Sequence, residues 1–185
     1  NTEAEGFIRS FEKEAGTGVE DKKVCIIGAG GAARAIAVKV ALEGAVKLNI
    51  VNRTLSRATE IAEMINNNIE GIAEGVSLDS PDLEDVLGES DIIINTTSVG
   101  MYPQIEDCPI PEYIGFSKGQ VVYDIIYNPV KTKILQKAEQ DGCKIINGMG
   151  MLFYQGIYAY EIWTGIKIEK NILDEVYESF INILS

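Results

Sequence analysis

The turn Gly28-Ala29-Gly30-Gly31-Ala32-Ala33 constrains this chain more than any other feature, because of what flanks it. Before it runs Val24-Cys25-Ile26-Ile27, a continuous apolar and β-branched stretch that suits a strand buried on both faces. After it comes an alanine-rich segment to Leu42, helical by propensity and stopped at Gly44. The spacing G-x-G-x-x-A has a mechanical reading. Gly28 permits a tight turn, Gly30 lets the backbone approach a pyrophosphate, and Ala33 allows close helix–strand packing. Phosphate oxygens would sit on the unpaired N–H groups at the positive end of the helix. Gly28, Ala29, Gly30, Gly31 and Ala32 are therefore candidate dinucleotide contacts.

The same rhythm continues along the chain. Phe7, Ile8 and Phe11 recur at helical spacing and predict a leading helix over 6–15, closed by Gly16-Thr17-Gly18. Strands are predicted at 48–51, 91–95, 120–126 and 144–146, with a weaker one near 71–78. Helices are predicted at 55–66, from Ser80-Pro81 as N-cap and first helical residue to Leu87, at 131–140, at 151–163 and at 172–184. Strands alternating with helices through short loops predict an α/β fold, a doubly wound parallel sheet of the Rossmann type with additional N- and C-terminal helices. The expected organisation is one domain over 1–185: a helical lead at 1–18, a core at 23–148 and closing helices at 149–185.

Composition narrows the function. A chain of 185 residues with 46% hydrophobic content supports one well-buried core. With 28 acidic against 16 basic residues and a net charge of −12, it lacks the cationic surplus that binds nucleic acid. The absence of histidine excludes His-based triads, His metal ligands and a His proton shuttle within these residues. Cys25, Cys108 and Cys143 form no C-x-x-C pair, which argues against a zinc site or disulfide framework and for a reducing, cytoplasmic location. No stretch approaches the roughly 20 apolar residues of a membrane span. The first residue is Asn rather than Met, so a piece of a longer protein is expected.

Two further motifs refine the ligand. At the end of the second predicted strand, where an NAD-binding domain offers an acid to the ribose 2′-OH, stand Asn52, Arg53 and Thr54. Nothing acidic there repels a 2′-phosphate, and Arg53 offers a charge-assisted contact with hydrogen bonds from its neighbours, which indicates NADP. The plainer alternative makes Arg53 a solvated loop charge and Thr54 a helix cap; Arg57 reads as a surface residue. At the carboxyl end of the strand at 91–95 lies Thr96-Thr97-Ser98-Val99-Gly100-Met101, where open α/β sheets bind ligands. Thr96, Thr97 and Ser98, with their hydroxyls, are candidates for the nicotinamide side, and Val99 and Met101 for the cofactor site with them, although the run also fits an ordinary polar loop.

Together with Tyr127-Asn128-Pro129-Val130-Lys131-Thr132 and the run from Gly150-Met151-Leu152 through Gln155-Gly156 to Trp163-Thr164-Gly165, these motifs resemble the shikimate dehydrogenases, in their cofactor-binding half. The resemblance implies NADPH-dependent, reversible reduction of 3-dehydroshikimate to shikimate on the route to aromatic amino acids. It implies that Tyr127 and Gln155 contact substrate, and that Ile125, Gly148 and Met151 belong to the cofactor site. It also implies a catalytic Lys and Asp associated with an N-terminal substrate domain, the Asp within Asn-Thr-Asp-Gly-x-Gly-Phe. Here Asn1, Thr2, Gly6 and Phe7 match, Glu3 stands at the Asp position and Ala4 replaces Gly. The added methylene of Glu3 displaces its oxygens, which matters in a positioned site. The Lys-bearing domain is missing from these residues, so the chain alone is expected to be inactive. A quinate/shikimate or glutamyl-tRNA reductase relative, or a non-catalytic NADP-binding module, are the competing readings. Self-association through apolar surface left uncovered, giving a homo-oligomer, is a further expectation.

Overall fold

Helices and strands alternate as the periodicity predicts. The computed structural model describes residues 2–69 and 71–184, so Asn1 lies outside the described residues. In order they form α1 (Thr2–Ala15), β1 (Lys23–Ile27), α2 (Gly31–Leu42), β2 (Lys47–Asn52), α3 (Leu55–Asn66), β3 (Ala73–Ser77) and α4 (Leu83–Gly88). Then follow β4 (Ile92–Asn95), β5 (Val121–Asp124), α5 (Lys133–Gln140), β6 (Lys144–Ile146), α6 (Met149–Thr164) and α7 (Lys170–Leu184). The six strands make one sheet in the order β3-β2-β1-β4-β5-β6, every pair parallel. This is the doubly wound sheet that the alternation implied.

Side chains leave each strand alternately to the two faces, and each face has its own core. Ile26, Ile50, Ile94 and Tyr123 join Ile36 and Val40 of α2, Ile61 and Ile65 of α3, and Phe7 and Phe11 of α1. Cys25, Ile27, Val51, Ile93 and Val122 join Leu83 and Leu87 of α4 and Ile134 and Leu135 of α5. Burial pushes the Cys25 thiol up to about 12, in keeping with a small inert hydrophobe.

The leading helix is more than an appendage. Phe7 meets the Tyr123 ring edge-on at 4.9 Å, and the Tyr123 hydroxyl lies 2.9 Å from Ser10 Oγ, which donates to Glu14 Oε1 at 2.9 Å. Desolvation pushes the Glu14 carboxyl above its ordinary range. On its other side α1 crosses α6 so closely that a Cβ on Gly6 would stand 2.9 Å from both the Met151 carbonyl and Gln155 Cγ. Phe153 and Tyr154 of α6 pack on Leu173 and Tyr177 of α7. The end of α6 is bare, with Ile162 69%, Trp163 84% and, just beyond, Ile166 57% exposed.

Several boundaries differ from expectation. The leading helix starts at Thr2 instead of 6, since Ala4 is buried with the apolar face and Glu3 and Glu5 suit a helix N-terminus. Ser80-Pro81 does not open α4. The Asp82 N–H donates to Ser80 Oγ and the Leu83 N–H to the Ser80 carbonyl, a separate turn that delays the helix to Leu83. Likewise β5 stops at Asp124, because Asp124 Oδ1 takes the Ile126 N–H and turns the chain out of the sheet. Helix α5 begins at Lys133, capped by position at Thr132, and α6 begins at Met149.

Phe7 is fully buried between the sheet and α6, so Phe7→Ala should cost about 3–5 kcal/mol of stability, read as a lower urea midpoint with an unchanged denaturant slope.

Candidate functional site

The chain leaves β1 at Gly28 with φ +114°, a backbone conformation that L side chains rarely adopt. Its N–H donates to the Val51 carbonyl at 2.7 Å, and a Cβ on it would stand 2.5 Å from Thr96 Oγ1 and 3.1 Å from Thr97 Cγ2. Both backbone and space therefore demand glycine. Gly30, in extended conformation, precedes α2 without a side-chain cap, and a Cβ on Gly30 or Gly31 would meet nothing within 4 Å. The first N–H groups of α2 thus have neither a side-chain cap nor a side chain from Gly30 or Gly31 beside them, the arrangement that accepts phosphate oxygens.

Two adjoining cavities occupy the carboxyl ends of the strands. The first, of 250 Å³, is lined by Gly28, Ala29, Gly30, Asn52, Arg53, Arg57 and Thr96 to Val99, with Leu78 and Pro109 closing it. Two guanidinium groups and no carboxylate line it. Arg57, expected only as a surface residue, is exposed but returns to the same side as Arg53 from the first turn of α3. Asn52 Nδ2 donates to the Thr54 carbonyl at 3.0 Å and so shapes the loop that presents Arg53. Arg34 points elsewhere, paired with Glu60 of α3.

The second cavity, of 430 Å³, is lined by Thr96, Thr97, Ser98, Met101, Tyr102 and Ile125 to Asn128. It shares Thr96 to Ser98 with the first, so the two form one crevice. No charged side chain lines it. Tyr127 is 47% exposed there, and Met101 45%.

The other candidate residues line neither cavity. The Gly148 N–H donates to the Ile126 carbonyl at 3.0 Å, and a side chain there would collide with Ile125. Met151 is buried in the core cluster that Ile125 flanks. Gln155 sits on α6 against Gly6, Glu3 in the first turn of α1, Gly31 and Ala32 inside α2, and Thr54 at the start of α3. Sequence reasoning missed Ile27, Val51, Arg57, Leu78, Tyr102, Pro109, Ile126 and Asn128 as lining residues. Only Arg57 had a readable signal, its position one turn after Arg53.

Beneath the crevice lies Asp124, fully buried. Burial pushes its carboxyl up to about 6, against the opposing pull of hydrogen bonds from Thr132, the Ile126 N–H and Asn95.

The sequence and fold have known counterparts. Residues 10–105 match the family described as shikimate / quinate 5-dehydrogenase, and residues 148–172 match the shikimate 5′-dehydrogenase C-terminal domain. The chain belongs to the shikimate dehydrogenase family. A shikimate dehydrogenase (NADP(+)) of Alkaliphilus oremlandii is 46% identical over 167 residues, 90% of this chain and 58% of that protein. The shikimate 5-dehydrogenase of Listeria monocytogenes, solved with shikimate and NAD, superposes with a TM-score of 0.85 at 36% identity, covering 95% of this chain and 62% of that one. That of Thermus thermophilus, solved with NADP(H) and shikimate, gives 0.78 at 29%, covering 97% and 62%. This family member therefore spans about three fifths of the length of those relatives. No helix among its described residues is long and apolar enough to cross a membrane.

Two outcomes follow from this geometry. Gly28→Ala should cost about 1–3 kcal/mol of stability through its backbone strain alone, measured by urea unfolding. Asp124 titrates from an ordinary value of 3.8 when unfolded and about 6 when folded. Between those values the folded chain holds a proton that the unfolded chain releases, so this group's contribution to stability falls as pH rises through the window. Relative to Asp124→Asn, the unsubstituted chain should lose about 2–3 kcal/mol between pH 3.5 and 7, read from urea unfolding of both at each pH.

Proposed function

We propose that this chain is the NADP-binding part of a shikimate dehydrogenase, which reduces 3-dehydroshikimate reversibly to shikimate. The observation that carries the reading is the pairing of an open glycine cradle at the start of α2 with Arg53 and Arg57 in a cavity free of carboxylates. A pyrophosphate suits the cradle, where Gly28, Gly30 and Gly31 carry no side chain and the first N–H groups of α2 lack a side-chain cap. A 2′-phosphate fits the two guanidinium groups, for which it offers charge and bidentate geometry. Relatives bearing the name shikimate dehydrogenase (NADP(+)) support the same assignment.

NADPH, when bound, supplies the hydride. The chain's own residues bind and orient: Thr96 to Ser98, Met101 and Ile125 wall the nicotinamide side, and Tyr127 projects into the second cavity toward substrate. Gln155 and Glu3, on the crossed helices α6 and α1, are assigned to the substrate side of the cleft. The second cavity is lined by no charged acid or base, and the proton exchanged at the substrate oxygen is assigned on this reading to a group outside its walls. The resemblance assigns that work to a Lys in a portion of the protein beyond these 185 residues and to an acidic partner whose position Glu3 occupies. On this reading the chain binds cofactor but does not turn over alone.

Titration calorimetry with NADP and NAD tests the cofactor. NADP should bind more tightly, and Arg53→Ala should weaken NADP by about 10- to 100-fold, the worth of a charged hydrogen bond, with little effect on NAD. Arg57→Ala should act in the same sense. Equal affinities of the unsubstituted chain for the two dinucleotides would overturn the 2′-phosphate assignment. Assay of the full-length protein with shikimate and with quinate decides the substrate.

A further inference from the structure

Three segments that converge on the crevice share one buried carboxylate. Asp124 Oδ1 accepts the Asn95 Nδ2–H at 3.0 Å, from the end of β4, and the Ile126 N–H at 3.0 Å, from the exit of β5. Its Oδ2 accepts the Thr132 hydroxyl at 2.5 Å, at the start of α5. Asn95 passes the constraint on. Its Oδ1 accepts the Thr97 N–H at 3.1 Å and Thr97 Oγ1 at 2.8 Å, and Thr97 Oγ1 in turn accepts the Val99 N–H at 3.2 Å.

The chemistry of an amide makes this relay directional. Asn95 gives its NH₂ to an acceptor and its oxygen to donors, so a flip of the amide would set donor against donor at Thr97. The carboxylate is what forbids the flip. The far end of the same loop rests on the same cluster: Gly100 has φ +95°, and a Cβ there would stand 3.5 Å from Thr132 Cβ. Asp124 is not itself a lining residue of either cavity, and none of its partners belongs to the glycine cradle.

We propose that Asp124 is a positioning residue: by fixing the Asn95 amide and Thr132 together, it holds the 96–101 loop opposite Ile125 to Tyr127 and sets the shape of the second cavity. The relay runs on to Thr97, which lines both cavities, and to Val99, which lines the first, whereas the cradle is anchored separately by the Gly28 N–H on the Val51 carbonyl. The ligand readout below rests on the cofactor reading; the exchange readout does not.

The test uses the 185-residue chain with Asp124→Asn and, as a milder change that removes one donor, Thr132→Val. Amide hydrogen exchange by NMR should accelerate roughly tenfold at Thr97 and Val99 in Asp124→Asn, because a neutral acceptor holds Asn95 about half as strongly, while Val24 to Ile26 and Leu48 to Ile50 stay unchanged. Thr132→Val should give the same pattern with smaller amplitude, and it decides the matter if the first variant does not fold. In parallel, Kd for NADP should rise about tenfold in Asp124→Asn, whereas Kd for 2′,5′-ADP, which lacks the nicotinamide half, should stay within about twofold. Exchange that accelerates uniformly over the sheet, or not at all at Thr97 and Val99, would overturn the proposal, as would equal losses for the two ligands. If the unsubstituted chain binds neither ligand, the cofactor reading fails on its own, and the exchange pattern still decides the role of Asp124.

Discussion

The structure depends on the reversal of strand order at β1. Its neighbours are β2, reached through α2 on one face, and β4, reached only after the chain has passed through β3 and α4. Because parallel crossovers are right-handed, reversing the direction of travel puts the following helices on the opposite face. The loops leaving β1 and β4 then diverge and leave a crevice between them. The pairing of Ile27 with Asn95 sets Thr96 beside Gly28, and both the Thr96 N–H and its hydroxyl donate to the Ile27 carbonyl, at 2.8 and 2.7 Å. The need for glycine at 28 thus comes from a strand that lies some seventy residues later.

The features readable in the sequence were the ones whose cause is local. Apolar β-branched runs marked β1, β2 and β4, and the glycine spacing marked the turn, because each answers to its immediate neighbours. Asn52 and Arg53 were readable for the same reason, sitting at a strand end where a known contact is made. The misread helix start at Ser80 is local too, but there two signals competed. Ser80 can cap a helix or close a tight turn, and the turn won.

What was not readable is non-local. Asp124 finds Asn95 29 residues back along the chain, and Tyr123 finds Ser10 113 residues back, pairings that only the sheet creates. Neither Ser10 nor Asp124 belongs to a motif with a spacing rule. Gly6 looked like part of a sequence signature, whereas in the fold it also provides the close approach that lets α1 cross α6. Through Gly6 against α6, and through the Ser10–Tyr123 hydrogen bond, the leading helix is bound to both the closing helices and the sheet. That makes 2–15 an integral part of the folded unit instead of a linker to it.

The exposed end of α6 has an optical meaning. Trp163 is the single tryptophan of the chain and is 84% exposed, at the end of α6 and in the lining of neither cavity. Its indole is already in water in the folded state, so its emission changes little when the core melts. The buried ring of Tyr123 and circular dichroism carry that information instead. The same indole is a clean reporter of a different event: anything that covers the tip of α6 moves it from water into a drier setting, and shifts its emission to the blue without the fold changing at all.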